Sequence, residues 1–317
     1  MKIFYLKFKD YWSGLCHIYS SFGLIMLYKL RFKPLWLHYI IHGGKSDRLN
    51  LEFKALIDYL IDENQNIIDK YNSKRDLGIS IGDSAPIWVC WWQGEEQMPE
   101  LVSQCYKLLN CNCGTHPVKL ITKYNYLEYL NLPSRIMNLF NQGNIPMAQF
   151  SDIMRMYLVY TYGGIWIDST YWVTKPLSIS SETFVSVKSG NSSEPFVPRG
   201  RWSINLVGGS KDSKFFGFIY ESLIQYWNKN DSLIEYFLID YFAQIAYIKF
   251  PEIKQQIDMY TRCCPNLTNL NLNDSYDKRY LEKILEENQF IKLSWKWKLC
   301  KQLDDGTPTL YSYFLSL

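Results

Sequence analysis

No stretch of this chain offers about twenty uninterrupted apolar residues, so a helix spanning a bilayer is disfavoured. A charge of one sign is missing as well. Lys and Arg number 34 against 31 Asp and Glu, a net +3 that is too even to point to nucleic acid. The eight cysteines lack zinc-site spacing, because Cys111-x-Cys113 and Cys263-Cys264 are too tight and have no second pair. No cleavable signal is evident, so reduced thiols and a cytoplasmic location are expected. Internal repeats and low-complexity segments are absent, and no cluster combines acids with the four histidines.

Aromatic residues are plentiful instead, at 17% of the chain with 25 Tyr and 11 Trp. Such rings suit sugar stacking and membrane interfaces, and they also fill cores. The most informative stretch is Ser151 to Pro176, SDIMRMYLVYTYGGIWIDSTYWVTKP. Phe150, Ile153, Met154, Tyr157 and Leu158 recur at helical spacing. Asp152 and Arg155, three apart, share a side of that helix. Gly163-Gly164 stops it, since glycine enters the left-handed C-cap cheaply. A short buried strand follows over Ile165-Trp166-Ile167 and ends at Asp168. An acid at the carboxyl end of such a strand is where open α/β sheets hold ligands. Taken singly, an Asp after a strand is most often a turn residue, and an i,i+3 ion pair a surface pair of little worth. Three charges at fixed offsets around one Gly-Gly turn argue for a common crevice.

This stretch resembles the signature of the capsular polysaccharide synthesis glycosyltransferases, relatives of glycosyltransferase family 32. That signature runs S-D-x-x-R and, after a short spacer, G-G-(I/V)-(W/Y)-(I/L)-D-x-(D/T). It is also similar to the donor site of the large clostridial glucosylating toxins. The resemblance implies an α/β, GT-A (Rossmann-like) domain, a UDP-sugar donor and retention of anomeric configuration. It makes Asp152 and Arg155 sugar ligands, and it places Gly164, Asp168 and Ser169 in the donor site. Asp168 fits the first acid of an acid-x-acid cation site, whereas the third position is Thr170, a neutral ligand. Mn²⁺ or Mg²⁺ on Asp168 and Thr170 is the cofactor the resemblance implies. Trp92-Gln93-Gly94, closing the apolar run from Ile87, looks like the family's opening W-x-G, in which the Trp stacks on the nucleotide base; the other reading is that Trp88, Trp91 and Trp92 are all core or sugar-facing. Lys292 to Lys296 resembles a K-L-(S/T)-W-K element whose hydroxyl and ring, here Ser294 and Trp295, close over the donor diphosphate. Lys292 and Lys296 are either phosphate contacts or a basic strand edge.

Asp240 interrupts the apolar sequence YFLIDYFAQIAYI. An acid there either faces a polar cavity or is paired. The segment resembles an aromatic–Asp–Tyr element of the family, and the resemblance implies a place for Asp240 in the sugar pocket. Were the reaction inverting, Asp240 would be the carboxylate within reach of the acceptor hydroxyl. Further strands are expected at residues 118–121, 171–173, 184–187 and 203–207, and helices at 49–71, 99–109, 133–141, 213–227 and 233–248. The loop KSGNSSEPFVPRGRW, with Arg199 and Arg201, reads as a plain surface loop or an acceptor-ordered one. Residues 1–45 mix aromatic and aliphatic residues with Lys and Arg, which fits a helical pair packed on the main domain or a segment lying flat on an anionic membrane.

The expected organisation is an N-terminal helical, membrane-associating segment over 1–85 and a glycosyltransferase domain over 86–317. The expected activity is transfer of a hexose from a UDP-sugar to a polyprenyl diphosphate-linked oligosaccharide in capsular repeat-unit synthesis. It is placed in the cytoplasm, peripheral at the inner face of the cell membrane, with no nucleic-acid partner. A non-catalytic nucleotide-sugar-binding module and a sugar-phosphate transferase are the alternatives.

Overall fold

The computed structural model describes residues 2–41, 48–75, 78–189, 192–260 and 270–317; Cys263 and Cys264 lie outside them. The chain opens with α1 (Lys2–Leu27), which breaks at Gly23, and continues through a π-helical turn (Tyr28–Phe32), α2 (Lys33–Trp36) and a second π-helical turn (Leu37–Ile41). Helices α3 (Arg48–Glu63) and α4 (Gln65–Ser73) follow. The single helix expected over 49–71 is interrupted at Asn64, whose buried amide donates to the Leu60 carbonyl (2.8 Å) and competes with the helix ladder.

Strands β1 (Ile87–Cys90) and β2 (Val118–Ile121) are joined by α5 (Glu100–Asn112). A run of helices, α6 (Tyr126–Tyr129), α7 (Ser134–Asn141) and α8 (Met147–Tyr162), leads to β3 (Gly164–Ile167). Then come β4 (Tyr171–Val173), β5 (Phe184–Val185), β6 (Leu206–Gly209), α9 (Lys214–Lys229), α10 (Leu238–Lys249), α11 (Pro251–Met259), α12 (Lys278–Glu287), β7 (Phe290–Lys292) and α13 (Leu310–Ser316). Two strands are displaced from expectation. The Ser186 hydroxyl bonds both the N–H and the carbonyl of Ser203, so these residues leave the ladder and β6 begins only at Leu206. Residues 233–237 are not helical, because the Ile234 N–H is taken by the Tyr226 hydroxyl (2.8 Å).

The main sheet has strand order β2-β1-β3-β6-β5, with β2, β1 and β3 parallel and β6 and β5 antiparallel to their neighbours. This is a mixed, Rossmann-like α/β sheet. From β1 the chain crosses to β2 on one side and then returns to β3 on the other. Strand order therefore reverses between β1 and β3, and the crevice at such a reversal is where α/β sheets bind ligands. Side-chain alternation gives the main sheet a core on each face, and a third cluster around Trp172, Ile291 and Phe314 packs α5, β4, β7 and α13. Trp88, Trp166 and Val207 face a layer of helices that includes Phe150, Phe218 and Phe242. Ile87, Val89, Ile165 and Ile167 face Leu109, Tyr171 and Phe290. Leu56, Leu60, Ile68 and Tyr71 from α3 and α4 belong to the first of these cores. The helices before residue 86 thus share the core of the rest of the chain.

Gly163 caps α8 at φ 74°, and Gly164 starts β3 at φ 96°. A Cβ on Gly164 would lie 2.0 Å from the Pro86 carbonyl oxygen, so only glycine lets β3 enter beside β1. Gly164→Ala should therefore destabilise the protein by about 3 kcal/mol or more in urea denaturation. Gly143 shares the positive φ (81°) but has nothing within 4 Å of an added Cβ. Its Ala variant should lose only about 1 kcal/mol, which separates the clash from the dihedral cost.

Candidate active site

A cavity of about 810 Å³ opens at the carboxyl ends of β1 and β3. This size is in the range of small-molecule sites. Its base is formed by Cys90 at the end of β1, Trp91 and Trp92 after it, and Asp168, Ser169 and Thr170 after β3. Helix α8 contributes Asp152 and Arg155, and α10 contributes Asp240. Phe196, Tyr236 and Phe237 are exposed at its rim, with ring centroids 5.6 Å (Phe196–Phe237) and 5.0 Å (Tyr236–Phe237) apart.

The expected charged trio does converge here. The Arg155 guanidinium lies 3.4 Å from Asp152 Oδ1 and 3.5 Å from Asp168 Oδ1, and it donates to the Ile204 carbonyl (3.1 Å). Its plane stands 5.1 Å from the Trp166 ring. Asp152 and Arg155 are each 8% exposed, which distinguishes this pair from a solvated surface pair. Asp168 Oδ1 accepts from the Trp166 indole (2.8 Å), and Oδ2 accepts from Lys292 Nζ (2.8 Å). Asp240 Oδ1 accepts from the Trp202 indole (2.9 Å).

Other expected residues are placed differently. Trp92 borders the cavity, but its ring is held by Tyr126, Phe140 and Phe150 at 5.0–5.9 Å. Trp295 lines the cavity half-exposed, edge-on to Trp91 at 5.8 Å, whereas Ser294 beside it does not line the cavity. Gly164 lies at the far end of β3 from Asp168, against Pro86, and is outside the cavity. Its part is to admit the strand. Arg201 bonds the Pro198 and Val197 carbonyls and stacks at 4.7 Å on Trp202 and 4.4 Å on Tyr247, so it braces its own loop. Trp166, expected only as a strand residue, and Trp202 also line the cavity. Trp166, two residues before Asp168 on a strand, shares its face by simple alternation, a signal that was there to read.

The acids are graded by their surroundings. Burial pushes the Asp152 carboxyl up to about 7; Arg155 opposes this, while Asp240 and Asp168 add to it. Burial likewise raises Asp240 to about 6, against the Trp202 indole and Arg155. Asp168 is also buried, yet the Lys292 and Arg155 charges and the bonds from Lys292 and Trp166 outweigh burial and hold it below the usual carboxylate range.

The residues around Asp168 do not fit a divalent cation. Such an ion needs several oxygen donors, usually more than one of them anionic. Both oxygens of Asp168 already accept from cationic or N–H donors. Thr170 offers a buried neutral hydroxyl, and its carbonyl is taken by the Leu293 N–H (2.9 Å). Among the described residues no group of three or more His, Cys, Asp or Glu is arranged to hold a metal ion.

Asp240 has a native pKa above that of the unfolded chain, so the stability it confers is present at low pH and lost as pH rises through about 6. Asp240→Asn keeps an acceptor for Trp202 and removes the titration. Wild type should lose on the order of 2 kcal/mol relative to this variant between about pH 4 and 7, read from urea midpoints. Parallel pH curves for the two proteins would refute the assignment.

Searches among curated proteins and solved structures return no match. A family model described as capsular polysaccharide synthesis protein matches residues 38–314, which include β1, β3, α8 and α10 around the cavity. This chain belongs to the capsular polysaccharide synthesis protein family.

Proposed function

We propose that the protein is a glycosyltransferase of GT-A type that moves a hexose from a UDP-sugar to a lipid-linked oligosaccharide in capsular repeat-unit synthesis. The observation that carries this reading is the convergence of buried Asp152, Arg155 and Asp168 in one cavity at the reversal between β1 and β3. In the transfer, the bond between the anomeric carbon and the diphosphate oxygen breaks and its electron pair stays on the diphosphate. The acceptor hydroxyl oxygen bonds to the anomeric carbon, and with retention its proton passes to the departing diphosphate. Asp152 and Asp240 accept from sugar hydroxyls, Arg155 opposes the charge growing on the leaving group, and Trp91 and Trp295 present aromatic surface to the donor.

The acceptor side of the reading rests on the N-terminal arm. Residues 11–41 contain no Asp or Glu. One face of the arm, including Leu27, Leu30 and Pro34, is buried. Leu24, Tyr28, Phe32, Trp36 and Ile40 recur every four residues and are all exposed. The wide π turns advance less per residue than α turns and so hold this spacing in one stripe. Lys29 and Lys33 are exposed on the same arm. An exposed aromatic and aliphatic stripe with basic side chains and no acids suits an anionic lipid surface. No helix of the described residues is long and apolar enough to cross a membrane. The arm is also tied to the cavity mouth: His17 Nε2 bonds the Leu233 carbonyl (2.7 Å), and Arg31 lies 3.9 Å from Glu235, next to Tyr236 and Phe237.

Release of UDP from a panel of UDP- and GDP-sugars, with a polyprenyl diphosphate-linked acceptor present, tests the chemistry. One UDP-sugar should turn over, and Arg155→Met should lower the rate by about a hundredfold. UDP binding without turnover of any donor would instead select a binding module. Co-sedimentation tests the arm: the protein should pellet with vesicles containing phosphatidylglycerol and not with neutral ones. Phe32→Glu/Trp36→Glu should reduce that binding by about tenfold or more. Equal partition onto both vesicle types would remove the preference for anionic lipid, and failure to pellet with either would remove the membrane contact.

A further inference from the structure

Strand β7 pairs antiparallel with β4 so that Lys292 stands opposite Tyr171, three residues beyond Asp168. This register, and not side-chain reach alone, delivers the ammonium to the carboxylate. Lys292 Nζ lies 2.8 Å from Asp168 Oδ2 and 4.8 Å from the centre of the Tyr171 ring. The next residue fastens the strand, with the Leu293 N–H donating to the Thr170 carbonyl (2.9 Å). The Lys292 side chain is only 19% exposed, so its charge cannot simply be returned to water if its partner is taken. A divalent cation on Asp168 Oδ2 would sit beside that ammonium, and two like charges at such range repel strongly in a half-buried site.

We propose that Lys292 takes the part of a divalent cation in this site: its ammonium neutralises Asp168 and, together with Arg155, supplies the positive charge against which the diphosphate departs. The inference rests on the donor-sugar reading given above. Both side chains keep their protons throughout the transfer and act by charge, while the electron pair of the breaking bond stays on the diphosphate. A permanent cation of this kind makes the site indifferent to chelators. It also makes the lysine, rather than Asp168, the group that senses the diphosphate. Arginine preserves the charge at position 292, and methionine preserves the stem without it.

Calorimetric titration of the full chain with UDP and with uridine, each in MnCl2 and in EDTA, tests this, alongside titration of Mn²⁺ alone followed by its paramagnetic resonance signal. UDP should bind equally well in Mn²⁺ and in EDTA. Lys292→Met should weaken UDP by about tenfold or more while leaving uridine unchanged, and Lys292→Arg should restore most of the loss. The protein alone should leave the free Mn²⁺ signal undiminished. A tenfold gain in UDP affinity with Mn²⁺, or Mn²⁺ bound by wild type and released in Asp168→Asn, would overturn the proposal. So would equal weakening of UDP and uridine in Lys292→Met, which marks a merely structural lysine. If wild type binds neither UDP nor uridine, the donor-sugar reading fails, and the Mn²⁺ titration alone still decides the cation question.

Discussion

The buried guanidinium of Arg155 is the contact on which the rest of this site depends. It leaves α8 in the third turn, passes over Trp166 and ends between Asp152 of its own helix and Asp168 just beyond β3. A charge this deep costs several kcal/mol unless it is paired. Asp152, which has no other cation beside it among the described residues, is compensated by Arg155, while Asp168 is shared between Arg155 and Lys292. The guanidinium fork can face two carboxylates at once, which an ammonium of lysine shape cannot do in the same plane. Helix and strand are thereby held at one separation, and the cavity between β1 and β3 inherits its depth from that separation.

Backbone geometry makes this meeting available. The Gly163-Gly164 turn returns the chain from α8 directly into β3, and Gly208 on β6 lets the antiparallel neighbour approach the same strand closely. A Cβ on Gly208 would lie 2.7 Å from the Gly164 carbonyl oxygen. Close strand packing at one end of β3 thus fixes where its other end, and with it Asp168, emerges. The glycines are remote from the chemistry and still determine its geometry.

Local signals in the chain were sufficient for this unit. Helical spacing from Phe150 to Leu158, the Gly-Gly stop and the apolar run ending at Asp168 all act within one stretch, and the helix, turn and strand follow them. Elements set by distant partners were not legible in the same way. Asn64 breaks a convincing amphipathic pattern because its side chain competes for the backbone, and Ser186 and Ser203 shorten two strands by bonding each other across seventeen residues. The site shows the same division. Asp152, Arg155 and Asp168 could be grouped from sequence, while the Lys292–Asp168 pair spans 124 residues and depends on the β4–β7 register, which no local pattern encodes.

Three acids share the cavity, and their environments set them apart. Asp168, between two cations and an indole N–H, is held as a carboxylate, whereas Asp152 and Asp240, raised to about 7 and about 6 by burial, exchange protons near neutrality. Environments that push like groups in opposite directions assign them different work. Asp168 is a fixed counter-charge: it organises Arg155, Trp166 and Lys292 and has little freedom to do more. The other two can change their ionisation at small cost when a charged ligand arrives, because each pH unit of displacement involves only about 1.4 kcal/mol. An anionic group entering beside Arg155 therefore meets acids that give up their charge readily, and a sugar hydroxyl meets acids that can accept or donate. Under the donor-sugar reading proposed above, the two titrating acids would face the carbohydrate and the diphosphate while a single carboxylate stays ionised.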